Sequence, residues 1–194
     1  MFQDQAKAND KLVAQIQPGG AVDNRVRAGG VFYFKCFDKD GNLKWEESTH
    51  NLVVNVGLAD MNDKYFEGVS YSAAWYLGLV NGPGAGNTYA AADTMSSHAG
   101  WTENAGYSQS TRVAATFGSA TVADPSVIDN SGSVAVFSIN ATSTIAGAFL
   151  TSNDTKSGTT GILFSVSNFQ SPGDRSVVSG DTLNVTYQFS LDAA

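Results

Sequence analysis

The run TLNVTYQFSL, residues 182 to 191, constrains the fold more than any other part of the chain. Leu183, Val185, Tyr187, Phe189 and Leu191 alternate without a break with Asn184, Thr186, Gln188 and Ser190. A period of two sorts these sets onto opposite sides of a pleated strand, whereas a helix would spread both around its circumference. The segment is therefore a strand with one face in a core and one face wet. Such a strand cannot stand alone and needs both hydrogen-bonded neighbours and an opposing layer. Upstream, the runs RVAATFG, SVAVFSI, TIAGAFLT and GILFSVSNF carry the same signal from residue 111 onward. Asp124-Pro125, Asn140 to Ser143, Asn153 to Thr160 and Ser171 to Asp174 separate them with turn chemistry. Charged residues make up only 15% of the chain and there are 20 glycines, which suits short strands and tight turns over long amphipathic helices. The expected fold class is all-β: an antiparallel β-sandwich or jelly roll with one or two short helices and an extended N-terminal arm.

The arm is expected over 1–30 and the sandwich domain over 31–194. Phe2, Ala6, Leu12, Val13 and Ile16 lie at loosely helical spacing before Pro18-Gly19-Gly20 and Gly29-Gly30 break the pattern. So few apolar residues cannot offset the entropy of ordering the segment alone, so it reads either as a frayed terminus or as an arm that orders only against a neighbouring subunit. Residues 31–47 form a hairpin around Asp38-Lys39-Asp40-Gly41-Asn42, because Asp and Asn close turns with their own side chains. The same stretch mimics the opening of a calcium loop, but Thr49 stands where the bidentate Glu belongs. A short helix is expected over 53–66, with Val56, Ala59, Phe66, Leu58 and Met61 at spacings of three, four and seven. Residues 74–80 read as a strand, and Asp93 as the cap of one helical turn. Trp101, Tyr107 and Arg112 are then expected to lie across one end of the sheet.

The chemistry on offer is sparse. A formal net charge of -7 with scattered basic residues, only Arg25 and Arg27 lying close together, argues against nucleic-acid binding. No apolar run is long enough for a membrane helix, and the opening MFQDQAKAND has neither a basic region nor an apolar core. Synthesis in a reducing cytoplasm is expected, with the single cysteine, Cys36, a buried structural thiol inside VFYFKCF. His50 and His98 have no zinc spacing, and Asp93, His98 and Glu103 lack a third nitrogen or a thiolate to complete a metal set. There is no Gly-x-Ser-x-Gly elbow and no phosphate-cradling glycine loop. Asp93, Glu103, Asp129 and Asp181 are the carboxylates a glycosidase would need, yet each has a simpler place beside a turn or a cap. No enzyme activity, cofactor or metal is expected.

The stretch ADTMSSHAGWTE at 92–103, with Tyr107-Ser108 and Thr111-Arg112, resembles a widespread family of tailed-bacteriophage structural proteins. The likeness continues in NLVVNVGL at 51–58, WYLGL at 75–79, IAGAFLTS at 145–152, KSGTTG at 156–161 and GDTLNVTY at 180–187. It spans about residues 48 to 191, so the arm and first hairpin fall outside it. What the resemblance implies is a virion protein on the capsid exterior, made in the bacterial host cytoplasm. Its form is a cement (decoration) protein that binds the major capsid protein and other copies of itself as a homodimer or homotrimer. Under this reading Phe2, Leu12, Val13, Ile16, Arg25, Arg27, Trp75, Trp101 and Tyr107 are the partner-binding candidates. The alternative is a tail or head-fibre component that binds a host surface glycan, with Trp75, Trp101, Tyr107 and Tyr89 offering ring faces to sugars.

Overall fold

The computed structural model describes residues 26–68, 70–71, 73–170 and 173–193. Among them lie eleven strands: β1 (Val26–Phe37), β2 (Leu43–Val53), β3 (Tyr76–Asn81), β4 (Glu103–Asn104), β5 (Val113–Ala114), β6 (Ser126–Asp129), β7 (Ala135–Ser138), β8 (Ser143–Thr151), β9 (Leu163–Ser167), β10 (Arg175–Val177) and β11 (Thr182–Ala193). One helix, α1 (Asn55–Asn62), follows β2. All strand pairs are antiparallel, and the protein is an all-β sandwich.

β1 and β2 form the expected hairpin. Its turn is closed by Asp38, whose carboxylate accepts from the amides of Asp40 and Asn42 at 2.9 Å and from Asn42 Nδ2 at 3.0 Å. The Asn42 bonds hold the Asp38 carboxyl below its usual pKa. Its oxygens serve the turn itself, as the turn reading of this segment requires.

β11 lies at the centre of one layer. β1 runs along its whole length from Val26↔Ala193 to Phe37↔Thr182. On its other side two short strands share the edge: β7 opposite Thr182 to Val185 and β6 opposite Gln188 to Leu191. Asn130 fills the gap between them. Its Oδ1 accepts the Tyr187 amide at 2.7 Å and its Nδ2 reaches the Val185 carbonyl at 3.4 Å, so a fully buried side chain takes the place of a missing ladder rung.

β2 joins the two layers. Leu43 to His50 pair with β1, and Asn51 to Val53 pair with β9 in the second layer. From there the order is β9, β8, β3 and β4, with β5 and β10 at the margins. A strand that changes sheets in this way makes a corner of the sandwich.

Phe32, Phe34 and Cys36 of β1 and Leu183, Val185, Tyr187 and Phe189 of β11 meet Leu77, Leu79, Ala148, Leu150 and Phe164 in the main core. The second layer is buried on its outer side too, where Val80, Phe149, Leu163 and Val166 pack under Val54, Met95 and Trp101. The excursion between β3 and β4 supplies Met95 and Trp101, and Val54 comes from the start of α1. β8 is consequently buried at every position from Ile145 to Thr151. The wet face that alternation predicts for TIAGAFLT is therefore absent.

Three expectations need correction. Residues 26–30, counted with the arm, belong to β1, because β11 extends far enough to pair them; residues 1–25 lie outside the described residues. The helix expected over 53–66 ends at Asn62, and Asp63–Glu67 widen into a π-type turn that stops at Gly68, φ 71°. Phe66 is 79% exposed because its stripe faces solvent: Ala59, seven residues earlier, is exposed too, while Gly57 and Met61 lie on the side turned to the sheet. Gly57, the buried residue of α1, is where the helix touches the sheet: a Cβ there would lie 2.6 Å from the Phe164 carbonyl oxygen. Finally, no helical turn follows Asp93. Its carboxylate accepts from the Ala90 amide at 3.1 Å and from Trp101 Nε1 at 3.0 Å, and so pins the covering excursion to itself.

Candidate functional site

Two regions stand out: a buried ionic tie beside Trp101 and Tyr107, and an open apolar end of the sandwich.

The tie is built on Arg112, just before β5, and Glu103 of β4. Both are buried, at 0% and 7% side-chain exposure. Arg112 Nε and Nη2 donate to the Glu103 carboxylate, the latter at 2.7 Å. Nη1 reaches the Asn153 carbonyl at 2.9 Å and Nη2 the Gly158 carbonyl at 2.8 Å. The guanidinium lies 5.2 Å from the centre of the Phe149 ring. That ring covers Gly78 in the neighbouring strand, where a Cβ would intrude to 2.2 Å. Glu103 also accepts the Ser157 amide at 2.9 Å. Lys156 Nζ donates to the Tyr107 carbonyl at 2.8 Å and sits 3.9 Å over its ring. Burial pushes the Tyr107 phenol up and the Lys156 ammonium down. Both members of the central pair are engaged on several sides. The cluster therefore ties the loop between β8 and β9 to the strand edge.

The other chemical candidates are likewise committed to structure. His98 Nδ1 pairs with the Trp101 carbonyl at 3.1 Å, and its ring stacks on the indole at 4.1 Å. Asp129 accepts the Ser131 amide at 2.8 Å. Asp181 is buried and accepts from Lys44 and from the Val178 amide. Among the described residues no group of three or more His, Cys, Asp or Glu could hold a metal, and no helix is long and apolar enough to cross a membrane. Cys36, fully buried with Asp181 beside it, has its thiol pushed up to about 12, first by burial and then by that carboxylate. A thiol reagent at pH 8 should leave the native protein unlabelled and modify one cysteine per chain only after denaturation. Rapid labelling without denaturant would show that β1 opens readily.

Of the partner-binding candidates, Phe2, Leu12, Val13, Ile16 and Arg25 lie outside the described residues. Arg27 is an exposed residue of β1 opposite Asp192. Trp101 and Tyr107 are corrections: at 3% and 1% exposure they are core residues, Trp101 in the outer cluster and Tyr107 in the main one. Their aromatic mass is consumed in closing the sandwich, and neither ring is available to a sugar or a partner. Trp75 is half-buried, donates to the Tyr71 hydroxyl at 2.7 Å, and belongs to the second region.

That region is a cavity of about 730 Å³ that opens between the two layers. Leu150, Phe164, Tyr187 and Phe189 form its depth, and Met61, Trp75, Phe117 and Ile128 its walls. At the mouth Tyr65, Phe66 and Val26 are 82%, 79% and 66% exposed, and Tyr71 stands beside them. Tyr65 and Phe66 pack edge to face against each other, with ring centres 4.9 Å apart. The polar groups at the rim include Asp60 and Lys64, whose charges lie 3.7 Å apart. Sequence reasoning found Trp75 but missed Tyr65 and Phe66, because helical spacing assigned Phe66 to the core.

No family model, no curated protein and no solved structure matches this chain.

Proposed function

We propose that the chain is a capsid cement protein of a tailed bacteriophage, a structural component on the outside of the head that binds across major capsid protein subunits. One observation carries the assembly part of this proposal, contact with the major capsid protein or with further copies of the chain: an apolar hollow between the layers, with exposed aromatic side chains at its mouth, at the edge where β1 begins. Apolar groups gathered at one place on a surface mark contact with another macromolecule far more often than scattered ones do. The resemblance of residues 48 to 191 to virion proteins supplies the setting. A cement protein works by burying area across subunit joints, commonly upwards of about 1,000 Å² per stable contact. A sandwich whose loops are tied down, as the Arg112 cluster ties the loop between β8 and β9, suits that purpose.

Quantitative mass spectrometry of purified virions tests the proposal. A cement protein is present in many copies at a fixed ratio to the major capsid protein, as a symmetric shell requires. A handful of copies per particle, or recovery with isolated tails alone, would overturn it.

A further inference from the structure

The open end carries both halves of a contact. Tyr65 and Phe66 project beside the mouth, and the hollow lies next to them on the same face. A knob adjacent to its own hole is self-complementary under a twofold axis: a second copy turned through half a rotation presents its knob to the first copy's hole, and receives the first copy's knob in return. In size the match is also adequate. At roughly 150–250 Å² per aromatic, the exposed parts of Tyr65 and Phe66 present about 300 Å² per copy. Val26 and Tyr71, 66% and 49% exposed, and the apolar floor of the hollow extend the patch toward the ~800 Å² per partner of a standard interface.

We infer that this end of the sandwich is a homodimer interface in which Tyr65 and Phe66 of each copy enter the apolar hollow of the other. The inference rests on the reading of this end as a docking surface, and it is independent of the capsid, since it concerns the free protein.

Two measurements on the full chain in solution decide it. Light scattering after size exclusion should give a dimer that dissociates on dilution. The variant Tyr65→Ser/Phe66→Asp should raise the dissociation constant at least about a hundredfold, because each knob counts twice in a twofold contact. Both side chains are exposed, so its thermal midpoint at a concentration where both proteins are monomeric should equal the parent's. In the second measurement Phe66 is replaced by the photoreactive benzoylphenylalanine, and isotope-labelled and unlabelled copies are mixed before illumination. Adducts joining a labelled to an unlabelled chain at Phe164, Phe189 or Ile128 are expected. A monomer at all concentrations, a dimer indifferent to the double variant, or adducts confined to single chains, residues 1–25 included, would each overturn the inference. None of these outcomes depends on how many copies a virion carries, so this interface and the cement assignment can fail separately.

Discussion

Arg112→Met is expected to destabilise the protein by about 3 to 5 kcal/mol, the usual cost of removing one member of a buried ion pair. Against a total stability of roughly 5 to 15 kcal/mol this is a large fraction, and the thermal midpoint should fall by on the order of 10 °C. The cause is what remains behind. Glu103, almost fully buried, keeps the Ser157 amide but loses its cation. The carbonyls of Asn153 and Gly158 lose their donors. Arg112→Lys should recover only part of the loss, since an ammonium cannot reproduce the guanidinium fork that serves a carboxylate and two carbonyls at once. Arg112→Met/Glu103→Leu removes the stranded charge, so it should be more stable than Arg112→Met alone. It should still fall short of the parent, because Ser157, Asn153 and Gly158 stay unpaired. Urea unfolding of all four proteins gives the comparison. A loss below about 1 kcal/mol for Arg112→Met would show that water reaches this cluster and replaces the arginine.

The pattern of these contacts explains which parts of the molecule its sequence reveals. β11 is legible because one of its faces is wet: each alternate polar residue from Asn184 to Ser190 marks the pleat. β8 and β9 are buried on both sides, so the alternation read in TIAGAFLT and GILFSVSNF finds strands there but marks a wet face that neither has. What hides their second face is the excursion held by Asp93 and Trp101, a pairing across eight residues that no period reports. The tie is harder still. Arg112 stands beside Trp101 and Tyr107 in the sequence, but two of its acceptors lie more than forty residues away, on a loop whose only local signal is turn composition. The open end was hidden for a different reason. Phe66 keeps a seven-residue spacing with Ala59, but that stripe faces solvent, and the side turned to the sheet is the one that carries Gly57 and Met61. Periodicity marks apolar stripes but not which of them meets the sheet, and here that side is set by Gly57, where a side chain would not fit.

On the legible strand the three neighbours Thr186, Tyr187 and Phe189 should separate by face and by depth. Tyr187→Ala should cost about 3 to 5 kcal/mol, since its ring is fully buried, 4.5 Å from Phe32, and its removal enlarges a hollow that the surroundings cannot fill. Part of that cost is polar. The Tyr187 hydroxyl accepts from Asn51 Nδ2 at 2.7 Å, and Ser165 Oγ lies 3.3 Å from it, so Tyr187→Phe alone should cost about 1 to 2 kcal/mol by leaving a buried amide donor unpaired. Phe189, 9% exposed and in edge-to-face contact with Phe164, already borders the cavity, so its replacement by Ala should cost less than that of Tyr187, about 2 to 4 kcal/mol. Thr186 points away from the core and should change stability by no more than about 0.5 to 1 kcal/mol. Equal losses at all three positions would mean that β11 does not present the face described. Concentration adds a further distinction. A second copy bound over the hollow stabilises the folded state by mass action, so the deficit of Phe189→Ala should widen as protein concentration rises, while that of Thr186→Ala should stay constant. A Phe189→Ala deficit that does not depend on concentration would leave the fold intact and remove the dimer.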